Sequence, residues 1–81
     1  MEWQSRLVAD PEICHGRVCV RGTRVMASII LDRLAMGENC AAILEDYPSI
    51  QREDVLAALS YAAELASDRE RGKTLRDKGF A

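Results

Sequence analysis

The spacing of apolar residues changes about a third of the way along the chain, and this change limits the folds that the chain can adopt. Upstream, apolar residues form two short groups, Leu7 with Val8 and then Val18–Val20, each bounded by turn-forming residues. Short β-branched groups between turns are typical of strands. Downstream, apolar residues recur every three or four positions, which is typical of amphipathic helices. We therefore predict a mainly α protein with a short N-terminal β-ribbon, its strands within residues 6–24, and a corner at Gly22.

Three helices are predicted after the ribbon, over about residues 28–36, 40–47 and 52–67. Ser28 and Asn39 are the expected N-caps of the first two helices, because their side-chain oxygens can accept a free backbone N–H. A glycine and a proline stand where these helices are expected to end. The short turn between the second and third helices predicts a helix-turn-helix unit.

The third predicted helix is the longest, and its apolar residues follow a helical repeat. They are Val55, Leu56, Leu59, Ala62, Ala63 and Ala66. The alanines indicate that another backbone approaches closely. Near its end the chain becomes strongly charged and loses this stripe. The prediction is therefore one domain over residues 1–70 and a charged tail over residues 71–81.

Several functional classes are disfavoured by the composition. With 81 residues, the chain is near the lower limit for a self-sufficient core, so oligomerisation would add useful burial. It has neither an apolar run of the roughly 18 residues that span a bilayer nor a signal peptide, so we expect a cytoplasmic protein without a membrane partner. Cys14, His15 and Cys19 lack the second pair of ligands that a zinc finger requires. We predict reduced thiols, no metal, no cofactor and no enzymatic activity.

The net charge of −2 is unevenly distributed along the chain. Residues 13–36 carry four arginines against one aspartate, a net charge of +3, whereas residues 37–70 carry a net charge of −6. A polyanion would therefore meet the first basic block or the tail. Arg17, Arg21 and Arg24 are the candidate phosphate contacts, and on a strand the first two would share one face. An equally open alternative is that they only protect a solvated strand edge.

The start of the third helix supplies a second candidate nucleic-acid contact. In helix-turn-helix proteins the first residues of this helix read the major groove. Here they are Gln51 and Arg52, whose side chains can bond to base edges. Glu53 and Asp54 follow and suit the positive end of the helix dipole. The later exposed positions are neutral or acidic, so a bundle that only packs is a competing interpretation.

Taken together, these motifs resemble a known family. The segments DPEICHGRVCVRGTRV, ILDRLAMGEN and AAILEDYPSIQREDVLAALSYAAE are similar to domain-of-unknown-function family 433, from about Leu7 to Glu64. The resemblance implies a short β-ribbon followed by a three-helix, homeodomain-like helix-turn-helix bundle. The chain departs from the family at His15, where the family favours glycine, and at Val18 and Met26, where it favours proline.

The resemblance also implies a function. Family members are often small prokaryotic proteins encoded beside a PIN-like ribonuclease, and they are similar to VapB-type antitoxins. The chain would then be an antitoxin of a type II pair, with a toxin protein and operator DNA as partners. Its homodimer would be built by the strands and the small-residue face of the third helix. The basic tail would bind the toxin. The candidate toxin-binding residues are Arg71, Lys73, Leu75, Arg76 and Phe80.

Two alternatives to the antitoxin are open. One is a stand-alone helix-turn-helix DNA-binding regulator without a toxin. The other is a protein-interaction module without affinity for DNA, which the acidic middle of the chain favours.

Overall fold

The computed structural model describes residues 2–72, with side chains from residue 2 to residue 69. Its main elements are β1 (Leu7–Ala9), β2 (Val18–Val20), α1 (Ala27–Ala35), α2 (Cys40–Asp46) and α3 (Arg52–Gly72). A short 3₁₀ turn precedes each strand, at Trp3–Ser5 and at Cys14–Gly16. The predicted fold class is confirmed, since a short β-ribbon is followed by three helices.

β1 and β2 pair as an antiparallel ribbon in which Leu7 lies opposite Val20. Both residues are buried, so this end of the ribbon belongs to the core. Gly22 follows β2 with a φ of +81°, a backbone conformation that suits glycine. The Val20 N–H then donates to the Val25 carbonyl at 2.9 Å. The chain therefore turns at the predicted corner and enters α1.

The start of α1 differs from the prediction, because Ser28 is not its N-cap. Met26 occupies the cap position and contributes no side-chain hydrogen bond. Its backbone forms an antiparallel bridge to Cys19, and its carbonyl accepts the Ile29 N–H at 3.1 Å. The bridge to the ribbon thus sets where α1 begins, and a local capping pattern could not reveal it.

The turn between α1 and α2 follows the expected capping chemistry. Gly37 has a φ of +94°, and the next N–H, of Glu38, donates to the Arg33 carbonyl at 3.1 Å. This pattern is a Schellman motif, which satisfies carbonyls at the end of a helix. Asn39 is the N-cap of α2, as predicted, since its Oδ1 accepts the Ala42 N–H at 2.9 Å. These bonds orient α2 against α1.

α3 is longer than predicted, and it buries a different face. It continues past residue 67 to Gly72. Among the residues of α3 whose side chains are described, those that are buried are Asp54, Val55, Ala57 and Ala58. Leu56 and Leu59, which the predicted stripe grouped with Val55, are 38 % and 43 % exposed. The rest of the described domain therefore covers only one side of this helix.

The core between the ribbon and the helices is mostly aliphatic. Its buried residues outside α3 are Leu7, Cys19, Val20, Val25, Ala27, Ile30, Ile43 and Ile50. At its edge, the Trp3 ring meets the Tyr61 ring edge-on, with 4.9 Å between ring centroids. The Trp3 Nε1 also donates to the Glu64 carboxylate at 3.0 Å. These contacts hold the N-terminal 3₁₀ turn against α3.

Candidate nucleic-acid interface

A polar groove of about 360 Å³ lies where the N-terminal 3₁₀ turn, the end of β2 and the start of α3 meet. We call it the α3-start groove. Its lining residues are Ser5, Arg6, Val20, Arg21, Ser49, Gln51 and Asp54. Two predicted nucleic-acid contacts, Arg21 and Gln51, are thus brought together although they are far apart in the sequence.

Backbone carbonyls fix the guanidinium of Arg21 at this groove. Its Nε donates to the Ser5 carbonyl and its Nη2 to the Gln4 carbonyl, both at 3.2 Å. The Arg21 N–H also donates to the Arg6 carbonyl at 2.8 Å. A guanidinium carries five N–H donors in one plane, so donors are left for an outside acceptor such as a phosphate oxygen. Arg21 therefore combines a folding role with an exposed positive charge.

Asp54 is the one buried charged residue in the part of the chain whose side chains are described. Its Oδ2 accepts the Gln51 N–H at 2.8 Å, and its Oδ1 accepts the Arg6 Nη1 at 2.9 Å. The first bond caps α3 from its third residue, as the acidic member of a capping box does. The second neutralises the buried carboxylate. The backbone of Gln51 is therefore fixed, while the residue itself is exposed.

Sequence reasoning missed Arg6 and the full role of Asp54. A carboxylate three residues after Gln51 was a usable signal for a cap. Arg6 left no such signal, because its partner lies 48 positions away. Contacts across that separation exist only once the ribbon packs on α3.

The other predicted nucleic-acid contacts lie outside the α3-start groove. Arg52 is exposed in the first turn of α3, and Arg24 is exposed between β2 and α1. Arg17 lines a second, mostly apolar groove of about 430 Å³ that is formed with α1 and α3. Arg17 and Arg21 thus stand at opposite ends of β2 and line different grooves.

Arg33, which belongs to the basic block, is neutralised by neighbouring carboxylates. Its Nε donates to Glu38 at 2.9 Å, and its Nη2 pairs with Glu38 and, at 2.7 Å, with Asp46. The guanidinium also lies over the Tyr47 ring, 5.7 Å from its centroid. The hydrogen bonds that Arg33 donates to the two carboxylates hold its pKa above its usual range. Arg33 therefore joins α1 to α2 and adds little to the surface that a polyanion would meet.

The cysteines show no sign of a metal centre. Burial, with a smaller contribution from the neighbouring Cys14 thiol, raises the pKa of the Cys19 thiol to about 11. The Cys14 thiol donates to the Arg24 carbonyl at 3.5 Å. Among the described residues, no group of three histidine, cysteine or acidic side chains is placed to hold a metal ion. No described helix has both the length and the apolar character needed to cross a membrane.

The predicted toxin contacts fall at the end of the chain. Arg71 lies in the last turn of α3, where side chains are not described. Lys73, Leu75, Arg76 and Phe80 lie outside the described residues. Their role in binding a toxin stays a prediction.

The fold and the groove together define a small helical protein with an N-terminal ribbon and a polar site at the start of its last helix. The family model described as "Protein of unknown function (DUF433)" matches residues 7–62. The chain belongs to this family, which confirms the resemblance seen in its motifs. Searches of curated proteins and of solved structures found no significant match. The glycine that the family favours at His15 fits the left-handed backbone there, where φ is 57°.

Proposed function

We propose that this protein is the antitoxin of a type II toxin–antitoxin pair that acts in the cytoplasm. It neutralises a PIN-like ribonuclease and binds its own operator DNA as a homodimer. The likeness to VapB-type antitoxins supports the pairing with a nuclease. The DNA-binding part rests on one observation, the meeting of Arg21 and Gln51 in one groove beside the exposed Arg52. Arginine is suited to phosphates and glutamine to base edges, so this groove has the chemistry to do both.

Binding to operator DNA can be measured by fluorescence anisotropy on a duplex from the gene's own promoter, at several salt concentrations. Arg52→Ala should lower the affinity and reduce the slope of log affinity against log salt by about 0.9 per lost phosphate contact. Arg69→Ala is the matched control, because Arg69 is also exposed on α3 but lies far from the α3-start groove. Equal effects of the two substitutions would contradict DNA binding at the start of α3.

Neutralisation of a toxin can be measured by co-expressing the protein with the PIN-like ribonuclease that the proposal places next to its gene. The full chain should restore growth. A chain that ends at Gly72 should not restore it, because Leu75 and Phe80 are the proposed apolar anchors of the tail. Circular dichroism shows whether the shortened chain is folded. A folded, shortened chain that still neutralises the toxin would assign the toxin contact to the domain instead.

A protein-interaction module without affinity for DNA is the second candidate, and one observation favours it. Beyond Arg52, the exposed residues of α3 include the acidic Glu53 and the apolar Leu56 and Leu59. A helix that reads base edges along its length needs hydrogen-bonding side chains at such positions. The two assays separate the candidates: binding to DNA alone indicates a stand-alone regulator, and binding to protein alone indicates the module.

A further inference from the structure

The outward side of α3 carries an apolar line that the rest of the described domain does not cover. Leu56 and Leu59 are 38 % and 43 % exposed, and Ala63 and Ala66 are also exposed. Their spacings of three, four and three residues place them in one line, on the side of the helix away from the core. This repeat is that of a coiled-coil contact. We call these four residues the α3 seam.

We propose that the α3 seam binds the seam of a second copy of this chain, with the two helices antiparallel. The seam has leucines towards its start and alanines towards its end. Antiparallel pairing about a twofold axis near residue 61 sets Leu56 opposite Ala66 of the other copy, and Leu59 opposite Ala63. Each leucine of one copy then fills the space beside an alanine of the other copy. The twofold axis repeats each of these pairs with the two copies exchanged. Parallel pairing would instead leave alanines facing each other across a gap.

The charges of α3 favour the same direction. Parallel pairing would set Arg52 beside Arg52 and Glu53 beside Glu53 of the other copy, and like charges at short range repel. In the antiparallel pair, the residues that flank the seam near the axis are Ser60 and Ala62, which are small and uncharged. Antiparallel pairing therefore matches large residues with small ones and avoids the repulsion between like charges.

This inference rests on the homodimer of the proposed function and names its surface. It assigns the contact to α3 alone, instead of to the strands and α3 together. No seam residue lines the α3-start groove, so pairing leaves that groove outside the contact. It also adds apolar burial to a domain of a size at which a single core is marginal. Any DNA contact of α3 is then limited to its first turn, because Leu56 and Leu59 are covered.

Sedimentation equilibrium of the full chain at micromolar concentration tests the contact. The wild type should have the mass of a dimer. Leu59→Glu should weaken dimerisation by about tenfold or more, because it places a charge in an apolar contact. Leu65→Glu is the matched control, since Leu65 is 49 % exposed but lies off the seam, in the groove that contains Arg17. It should leave the dimer intact, and circular dichroism of both variants would test whether they are folded.

Cross-linking tests the direction of pairing. Two copies of residue 60 approach each other near the axis only if the helices are antiparallel, so Ser60→Cys should form a disulfide-linked dimer under mild oxidation by oxidised glutathione. Ser67→Cys, on the same flank but seven residues further along, should not. Unsubstituted protein gives the background from the three native cysteines.

Three results would contradict the proposed contact between two α3 seams. They are a monomeric wild type, a Leu59→Glu variant that stays fully dimeric, and cross-linking of Ser67→Cys as readily as Ser60→Cys. A dimeric Leu59→Glu variant that no longer neutralises the toxin would show that the toxin covers the seam. Conversely, a dimer that depends on Leu59 but binds neither DNA nor a nuclease would support the seam contact and contradict the proposed function.

Discussion

At the residue scale, Asp54 connects three segments of the domain. It caps α3 through the Gln51 N–H and holds Arg6, which follows the N-terminal 3₁₀ turn. The Asp54 side chain is 9 % exposed and that of Arg6 is 35 % exposed. Loss of the carboxylate would therefore leave a backbone donor without its partner and an arginine that is only partly solvated. The geometry of the α3-start groove depends on this one carboxylate.

We expect Asp54→Ala to lower the free energy of unfolding by about 2 kcal/mol, less than for a fully buried ion pair because Arg6 is partly solvated. Asp54→Asn should cost less, because the amide oxygen can still cap the helix. Urea denaturation measures both changes. Glu53→Gln, at the neighbouring exposed acid, is the matched control and should change stability by less than about 0.5 kcal/mol. Equal losses of stability from Asp54→Ala and Glu53→Gln would contradict the role assigned to Asp54.

The Cys19 thiol should react far more slowly than the other two cysteines. Thiolates are the reactive form, and a pKa of about 11 leaves only about one thiolate in a thousand at pH 8. Cys14 and Cys40 are partly exposed, whereas Cys19 is buried. Alkylation with iodoacetamide followed by peptide mass spectrometry should therefore label Cys19 last, and faster as the pH rises towards 11. Denaturant should equalise the three rates, and labelling of Cys19 first in the native protein would be inconsistent with this structure.

At the element scale, helix starts were predictable where the cap is local. Asn39 caps α2 through the N–H of a residue three positions on, so its side-chain chemistry sufficed. α1 begins where the ribbon places it, because Met26 bridges to Cys19. Ser28 had the right chemistry for a cap but lies inside the helix. Capping preference is a local quantity, and a strand bridge overrides it.

Substitutions at Ser28 and Asn39 test whether each residue caps its helix. Asn39→Ala should lower the free energy of unfolding by about 1 kcal/mol, because the Ala42 N–H loses its acceptor. Ser28→Ala should change it by less than about 0.5 kcal/mol, since alanine is a better helix former than serine at an exposed position. Thermal melts of both variants measure the changes. A larger loss of stability for Ser28→Ala than for Asn39→Ala would contradict these cap assignments.

At the scale of the whole molecule, the N-terminal turn is held against the last helix. Trp3 packs on Tyr61 and donates to Glu64, while Arg6 binds Asp54. The N-terminal 3₁₀ turn therefore lies along much of the first half of α3. A small domain joined in this way should unfold as one cooperative unit.

Trp3 is the only tryptophan, so its fluorescence reports on this contact. We expect the urea transition followed by Trp3 fluorescence to coincide with the transition followed by circular dichroism, because the contact and the helices are lost together. A Tyr61→Leu variant should shift both transitions to lower urea. A fluorescence transition at clearly lower urea than the helical transition would mean that the N-terminal turn detaches first.

The helical repeats, the turns and the family could all be predicted from the order of residues along the chain. Short β-branched groups near the start, helical spacing after them, and residues such as Gly22 and Asn39 act through neighbours in the chain, so their consequences are local. Tertiary structure decided the rest. It paired Arg6 with Asp54, brought Arg21 to Gln51, placed Arg17 in a different groove, and left the α3 seam exposed. These features depend on which side of each element meets another, and that choice is made by packing between residues distant in sequence.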